Sequence, residues 1–221
     1  MTRLLDIGID RIRNIIMDMS SLSEKSVITA INAYEKGQNA KNEIFDWSEE
    51  LRVLQDEVSD LAIELIARYQ PVATDLRFIR SCMEIAYGFS RFGRYAYDIV
   101  EVLETIGPIP DCDKTDVLDT SKVVREMIHM SVQALQSRDK DAAQKLYKMD
   151  DAVDAAYRQY FRNVIVSSAN KNMELQQTIL NPKCYSSALL ILRYLERISD
   201  HACYIADSVH YIVTGESRPR R

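Results

Sequence analysis

Glycine and proline are scarce in this chain of 221 residues, with 6 of the first and 5 of the second. Few positions therefore interrupt a helix, since glycine weakens it through entropy and proline removes a donor. No apolar run nears the ~18 residues that a membrane span needs. The start, Met1 to Asp6, carries a basic residue but no long apolar core behind it. The expected protein is thus soluble and cytoplasmic, without direct membrane insertion. Positive charge is also in short supply: 28 Lys and Arg stand against 33 Asp and Glu, a net charge of -5. That disfavours nucleic acid as a partner, because such binding rests on neutralising phosphates. The four cysteines (Cys82, Cys112, Cys184 and Cys203) are far apart and form no CxxC. Reduced, mostly buried thiols are expected for them. There is no Gly-rich phosphate loop. The three histidines, His129, His201 and His210, join no recognisable nucleophile motif.

What remains is helix. Leu5, Ile9, Ile12, Ile16 and Met19 recur in steps of four and three, one face of an amphipathic helix. The same periodicity, with Gly37, Gln70-Pro71, Gly107-Pro108-Ile109-Pro110, Asn181-Pro182 and Gly215 as breaks, predicts six helices. They run over about 2–36, 40–69, 74–106, 113–137, 139–169 and 183–214, with Thr74 as the N-cap of the third. No segment alternates with period two, so no sheet is expected. The fold class is all-α.

The chain also repeats itself. Asp56 to Asp60 resembles Asp150 to Asp154, and Phe89 to Ala96 resembles Leu195 to Ala202. This divides it into a three-helix repeat over 1–107, a second over 113–215 and a disordered tail over 216–221. Three carboxylate pairs stand at i, i+4: Asp56 and Asp60, Asp150 and Asp154, Glu196 and Asp200. Side chains so spaced project about 40° apart, and like charges there repel. A hard cation removes that repulsion; a solvated acidic face tolerates it. Both readings stand on spacing alone. The apolar seam of the sixth helix lies about half a turn from Glu196, which puts the acids on the outside of the bundle. Outward acids argue against an inward di-iron enzyme site.

Several stretches resemble the PhoU family. Tyr194-Leu195-Glu196-Arg197-Ile198-Ser199-Asp200-His201-Ala202 is similar to its E-x-x-x-D signature helix, and Arg68 to Arg77 to its junction between second and third helices. Asp150 to Asp154 and the end Tyr211 to Glu216 fit the same pattern. The resemblance implies two tandem three-helix bundles, a homodimer, and surface metal (Fe, Zn, Mn or Mg) held by acidic motifs. Here those are Glu196, Asp200, Asp150 and Asp154, with Asp207 assisting. Asp56, Asp60 and Glu101 are weaker first-half candidates, because Ser90 and Arg94 stand where the signature needs acids. Arg94 is expected to pair with Asp56 or Asp60 in place of a metal. The resemblance further implies a negative regulator of phosphate uptake and phosphate-starvation signalling. It would be an adaptor, not an enzyme, between a phosphate ABC transporter ATPase subunit and a sensor kinase or equivalent regulator. The competing readings are a metal-free helical interaction bundle and a metal-dependent phosphohydrolase.

Overall fold

The computed structural model describes residues 4–109, 111–169 and 181–217. Residues 1–3 and 218–221, where the first helix and the tail were expected to extend, lie outside them. Among these residues six helices follow in order: α1 (Leu4–Lys36), α2 (Lys41–Tyr69), α3 (Ala73–Ile106), α4 (Thr115–Ser137), α5 (Ala142–Ala169) and α6 (Pro182–Thr214). No strand occurs among the described residues. Short connections turn α2 back on α1, α3 back on α2 and α5 back on α4. α3 packs on α1 and α2, α6 packs on α4 and α5, and the broadest contact of all joins α3 to α6. The two three-helix bundles thus share one core, running from Ile85, Phe89, Phe92 and Ile99 on α3 to Ile191, Leu195, Ile198 and Ile205 on α6. Each such fully buried large side chain contributes about 1.5–3 kcal/mol.

Small residues set the distance between helices. A Cβ on Gly88 would lie 2.9 Å from Ile205 Cγ1, so glycine there lets α3 and α6 close up. Gly93 does the same against α2, where a Cβ would lie 2.4 Å from Leu51 Cδ1. Buried serines play a similar part on α1. Ser20 and Ser26 donate to the carbonyls of Met17 and Leu22 at 2.7 and 2.8 Å, which satisfies each hydroxyl within its own helix.

Helix ends follow the breaks in the sequence, Gln70-Pro71 included, except that no break marks the end of α4. Gly107 and Gly215 take positive φ at the C-caps of α3 and α6, and Gly37, with φ 65, follows the last residue of α1. Gln70 and Arg138 occupy the same left-handed cap without being glycine, which no composition argument points to. Asn181 caps α6, accepting from Lys183 N at 2.9 Å, with Pro182 in the first turn. Thr74 does not cap α3: the helix starts a residue earlier, after extended Val72, and the Thr74 hydroxyl accepts from Arg77 instead.

The expectation of four reduced cysteines is corrected. Cys112, in the linker between the bundles, is disulfide-bonded to Cys184 in the first turn of α6, with Cα atoms 5.8 Å apart. The 72 residues between them in sequence hide this pairing. Packing the second bundle brings the two together. Cys82 and Cys203 are buried thiols, and burial pushes the Cys82 thiol up to about 12.

Candidate functional site: an acidic groove between α5 and α6

The α5–α6 seam is built from apolar residues, with Leu146 and Val153 of α5 and Leu195 and Ile198 of α6 fully or almost fully buried. Asp150 and Asp154 flank Val153, and Glu196 and Asp200 flank Ile198, so the four acids line the edge of this seam. Their side chains are not outward and free. Asp154, Glu196 and Asp200 keep only 24%, 14% and 27% of their exposure. The helical-wheel argument that turned Glu196 away from the seam is correct about one face. It misses that α6 has α3, α4 and α5 around it, so its far side is partly covered too.

Covering carboxylates in this way has an electrostatic price. The Asp150 carboxyl is raised first by burial, against which the Ser199 bond works, and then by the negative charges of Asp200, Asp154 and Asp151. The Asp200 carboxyl is raised by burial and then by Glu196, with Arg197 opposing. Charges from the two helices therefore act on each other across the groove. The Ser199 hydroxyl joins them directly, shared between Asp150 Oδ1 at 2.7 Å and the Glu196 carbonyl at 2.8 Å.

Positive charge comes from arginines one turn away. Arg158 pairs with Asp154, Arg193 with Glu196, and Arg197 with Asp200 at 3.4 Å. Arg193 also lies over the Tyr157 ring, 5.5 Å from its centre. Sequence reasoning singled out none of these arginines, although their i, i+3 and i, i+4 spacing from the acids is the signal that would have found them. Asp207 stands about 10 Å further along α6. It accepts from Tyr147 Oη at 2.5 Å and lines a separate cavity of about 310 Å³ with Arg80, Glu84, Tyr87 and His201. Among the described residues, no three acidic, histidine or cysteine side chains are arranged as a metal cage. The donor chemistry nevertheless suits a hard cation, since oxygen ligands crowd together and repel. In this structure arginines answer that repulsion.

The first repeat carries no such groove, and burial shows why. Leu51 and Val58 of α2 are buried as Leu146 and Val153 of α5 are, an offset of 146 − 51 = 153 − 58 = 95. Phe89, Phe92 and Ile99 of α3 match Leu195, Ile198 and Ile205 of α6 at 195 − 89 = 106. In this register Gln55 and Ser59, not Asp56 and Asp60, stand opposite Asp150 and Asp154, and Ser90 and Arg94 stand opposite Glu196 and Asp200. All four acids are replaced. Asp56 and Asp60 sit one residue round the helix, about 100° away, and are exposed. Asp56 pairs with Arg52 at 3.2 Å. Arg94 pairs with Asp98 at 3.0 Å, which corrects the expected bond to Asp56 or Asp60. Glu101 accepts from Tyr97 Oη at 3.4 Å.

Next to the groove, His201 is packed among rings. Tyr204, Tyr87 and Tyr95 lie 5.4, 5.6 and 5.9 Å from it, centre to centre. Burial, then Arg91 and Arg197, lower its pKa to about 4. It is a packed neutral ring at neutral pH.

Fold and groove together define an all-helical protein of two fused three-helix repeats, with a carboxylate groove in the second only. The family model described as PhoU domain matches the chain twice, over residues 16–103 and 117–209. The chain belongs to the PhoU domain family. It is 28% identical over 221 residues to the "Phosphate-specific transport system accessory protein PhoU homolog" of Clostridium acetobutylicum, covering 98% of this chain and 97% of that one. It is 30% identical over 215 residues to "PhoU homolog 1" of Methanothermobacter thermautotrophicus, covering 93% and 94%. The crystal structure of PhoU from Pseudomonas aeruginosa shares its fold with a TM-score of 0.83 at 24% identity, over 96% of this chain and 99% of that one. PhoU from Streptococcus pneumoniae does so with 0.84 at 18%, over 97% and 99%.

Proposed function

We propose that this chain is a cytoplasmic accessory protein of phosphate-specific transport that represses phosphate uptake and the phosphate-starvation response. It acts as an adaptor between the ATPase subunit of a phosphate ABC transporter and a regulator such as a sensor kinase, and it works as a homodimer. The observation that carries this is the match of both repeats to one family, whose relatives bear that name along almost their whole length. No helix among the described residues is long and apolar enough to cross a membrane, which accords with a partner reached at the membrane.

The working surface in this reading is the α5–α6 groove. Asp150, Asp154, Glu196 and Asp200 would hold a divalent or ferric ion, one of Fe, Zn, Mn or Mg. When bound, it supplies concentrated positive charge to a partner or to phosphate. The chain's own residues do the rest: Ser199 orients Asp150, and Arg158, Arg193 and Arg197 offset the charge of Asp154, Glu196 and Asp200 until a cation replaces them. The arginine pairs equally favour a second reading, in which the groove docks a partner without any metal. Both are binding functions. Turnover is not part of either, and the ring packing around His201 supports leaving it out of any proton relay.

The test has two arms. In the host cell, deletion should derepress phosphate uptake in phosphate-rich medium, and the wild-type gene should restore repression. Uptake unchanged by deletion would remove the regulatory reading. In vitro, metal analysis of purified protein should show bound metal that Glu196→Ala/Asp200→Ala loses. Wild type that retains none, and gains no stability from added Fe, Zn, Mn or Mg, leaves the metal-free adaptor standing.

A further inference from the structure

The bonded cysteines sit at the edge of the bundle, while the thiols of Cys82 and Cys203 sit deep inside it. Cys112 and Cys184 are both partly exposed, and neither belongs to the shared apolar core. Their bond closes a three-way junction. It fastens the inter-repeat linker to the first turn of α6. Lys183, beside Cys184, donates to the Pro108 carbonyl at 3.4 Å. Two residues past Cys112, Lys114 Nζ donates to the last carbonyls of α1, Tyr34 O and Glu35 O, both at 2.8 Å. The same linker walls a cavity of about 400 Å³ with Tyr34, Asn39, Leu103 and Ile109. The covalent bond thus ties α6 to the linker, and the Lys114 hydrogen bonds tie the linker to the end of α1.

We propose that Cys112 and Cys184 are a reversible thiol–disulfide latch on this junction. Inside a cell such bonds are usually transient, and an exposed bond away from the core is the kind that exchange reaches. Cys184 sits at the N-terminal end of a helix beside a lysine, a setting that stabilises a thiolate and makes it the better leaving group. The reductant is a protein dithiol of the disulfide-reductase class. Its thiolate attacks Cys112 Sγ, the Cys112–Cys184 bond breaks, and Cys184 leaves as a thiolate that takes up a proton. The second reductant thiol then attacks the mixed disulfide, releasing Cys112 and closing the reductant's own disulfide. Two electrons and two protons pass to the pair. A low-molecular-weight disulfide such as oxidised glutathione reverses it by two exchanges that release two reduced thiols. The intracellular setting rests on the proposed function; the latch itself is a property of the isolated chain, so the test below judges it alone.

The experiment equilibrates the full-length protein with graded ratios of reduced to oxidised glutathione and maps disulfides by mass spectrometry after acid quench. The expected result is conversion between the two states within that series. Reduced Cys184 should be alkylated at least about tenfold faster than Cys82 or Cys203. Hydrogen exchange at residues 111–114 and in the first turn of α6 should rise at least about tenfold on reduction, with the α3–α6 core unchanged. Cys112→Ser should reproduce the reduced pattern and ignore the glutathione ratio, and phosphine reduction of wild type gives the same reading should that variant fold poorly. A bond that stays closed throughout the series, a pair that never closes, or exchange that is the same in both states would each overturn the latch.

Discussion

Acid should destabilise this protein through one ring. His201 has its pKa lowered to about 4 by burial and by Arg91 and Arg197, against 6.5 when free. A group whose folded pKa is depressed stabilises the fold above its unfolded value, and that contribution is lost as pH falls through the window down to the folded value. The window here runs from 6.5 to about 4. Linkage gives a loss of about 2 kcal/mol by pH 5 and about 3 kcal/mol by pH 4 for a fully shielded ring. The ring is only partly buried, so solvent screening brings these nearer ~1 and ~2 kcal/mol. The assay is urea unfolding of wild type and His201→Gln at pH 7, 5 and 4. Asp150 and Asp200 pull the other way, because their raised pKa values favour the fold once they protonate. They are present in both proteins and cancel in the difference. Wild type should lose ~1–2 kcal/mol more than the variant between pH 7 and pH 4. Parallel curves for the two proteins would refute the claim that His201 is held neutral by its surroundings.

Reducing the Cys112–Cys184 bond, which closes a 72-residue separation, should lower unfolding free energy by up to about 4 kcal/mol, read from urea curves with and without reductant. Arg193→Gln should tighten Mn²⁺ binding at least several-fold in calorimetry if arginines and cation compete for the groove, and an unchanged affinity would separate Arg193 from the site. Phe89→Ala, at a position with no exposure, should cost about 3–5 kcal/mol by denaturant titration, whereas Asp60→Ala should stay within about 0.5 kcal/mol.

The helices were almost wholly legible before the structure. Long apolar periodicity fixed where each one lies, and Gly37, Gly107, Gly215 and Asn181-Pro182 fixed where four of the boundaries fall. Residues whose role depends on a distant neighbour were not legible. Cys112 meets Cys184 only after the second bundle has closed, and burial of Glu196 depends on three other helices. The register of the first repeat was misread by one residue because an acidic string at Asp56 to Asp60 looks like the one at Asp150 to Asp154. Which residue of such a string faces the seam is decided by Val58 and Val153, and only packing reveals that they are equivalent.

That register has a consequence for how the molecule is held by others. Two bundles joined through α3 and α6 repeat each other in helix order and in buried positions, so that one is close to an image of the other. With acids kept on one side and Gln55, Ser59, Ser90 and Arg94 on the other, the image is broken where a ligand would look for it. On the proposed reading, a partner that reads the groove meets one grip and not two, and would seat once per chain.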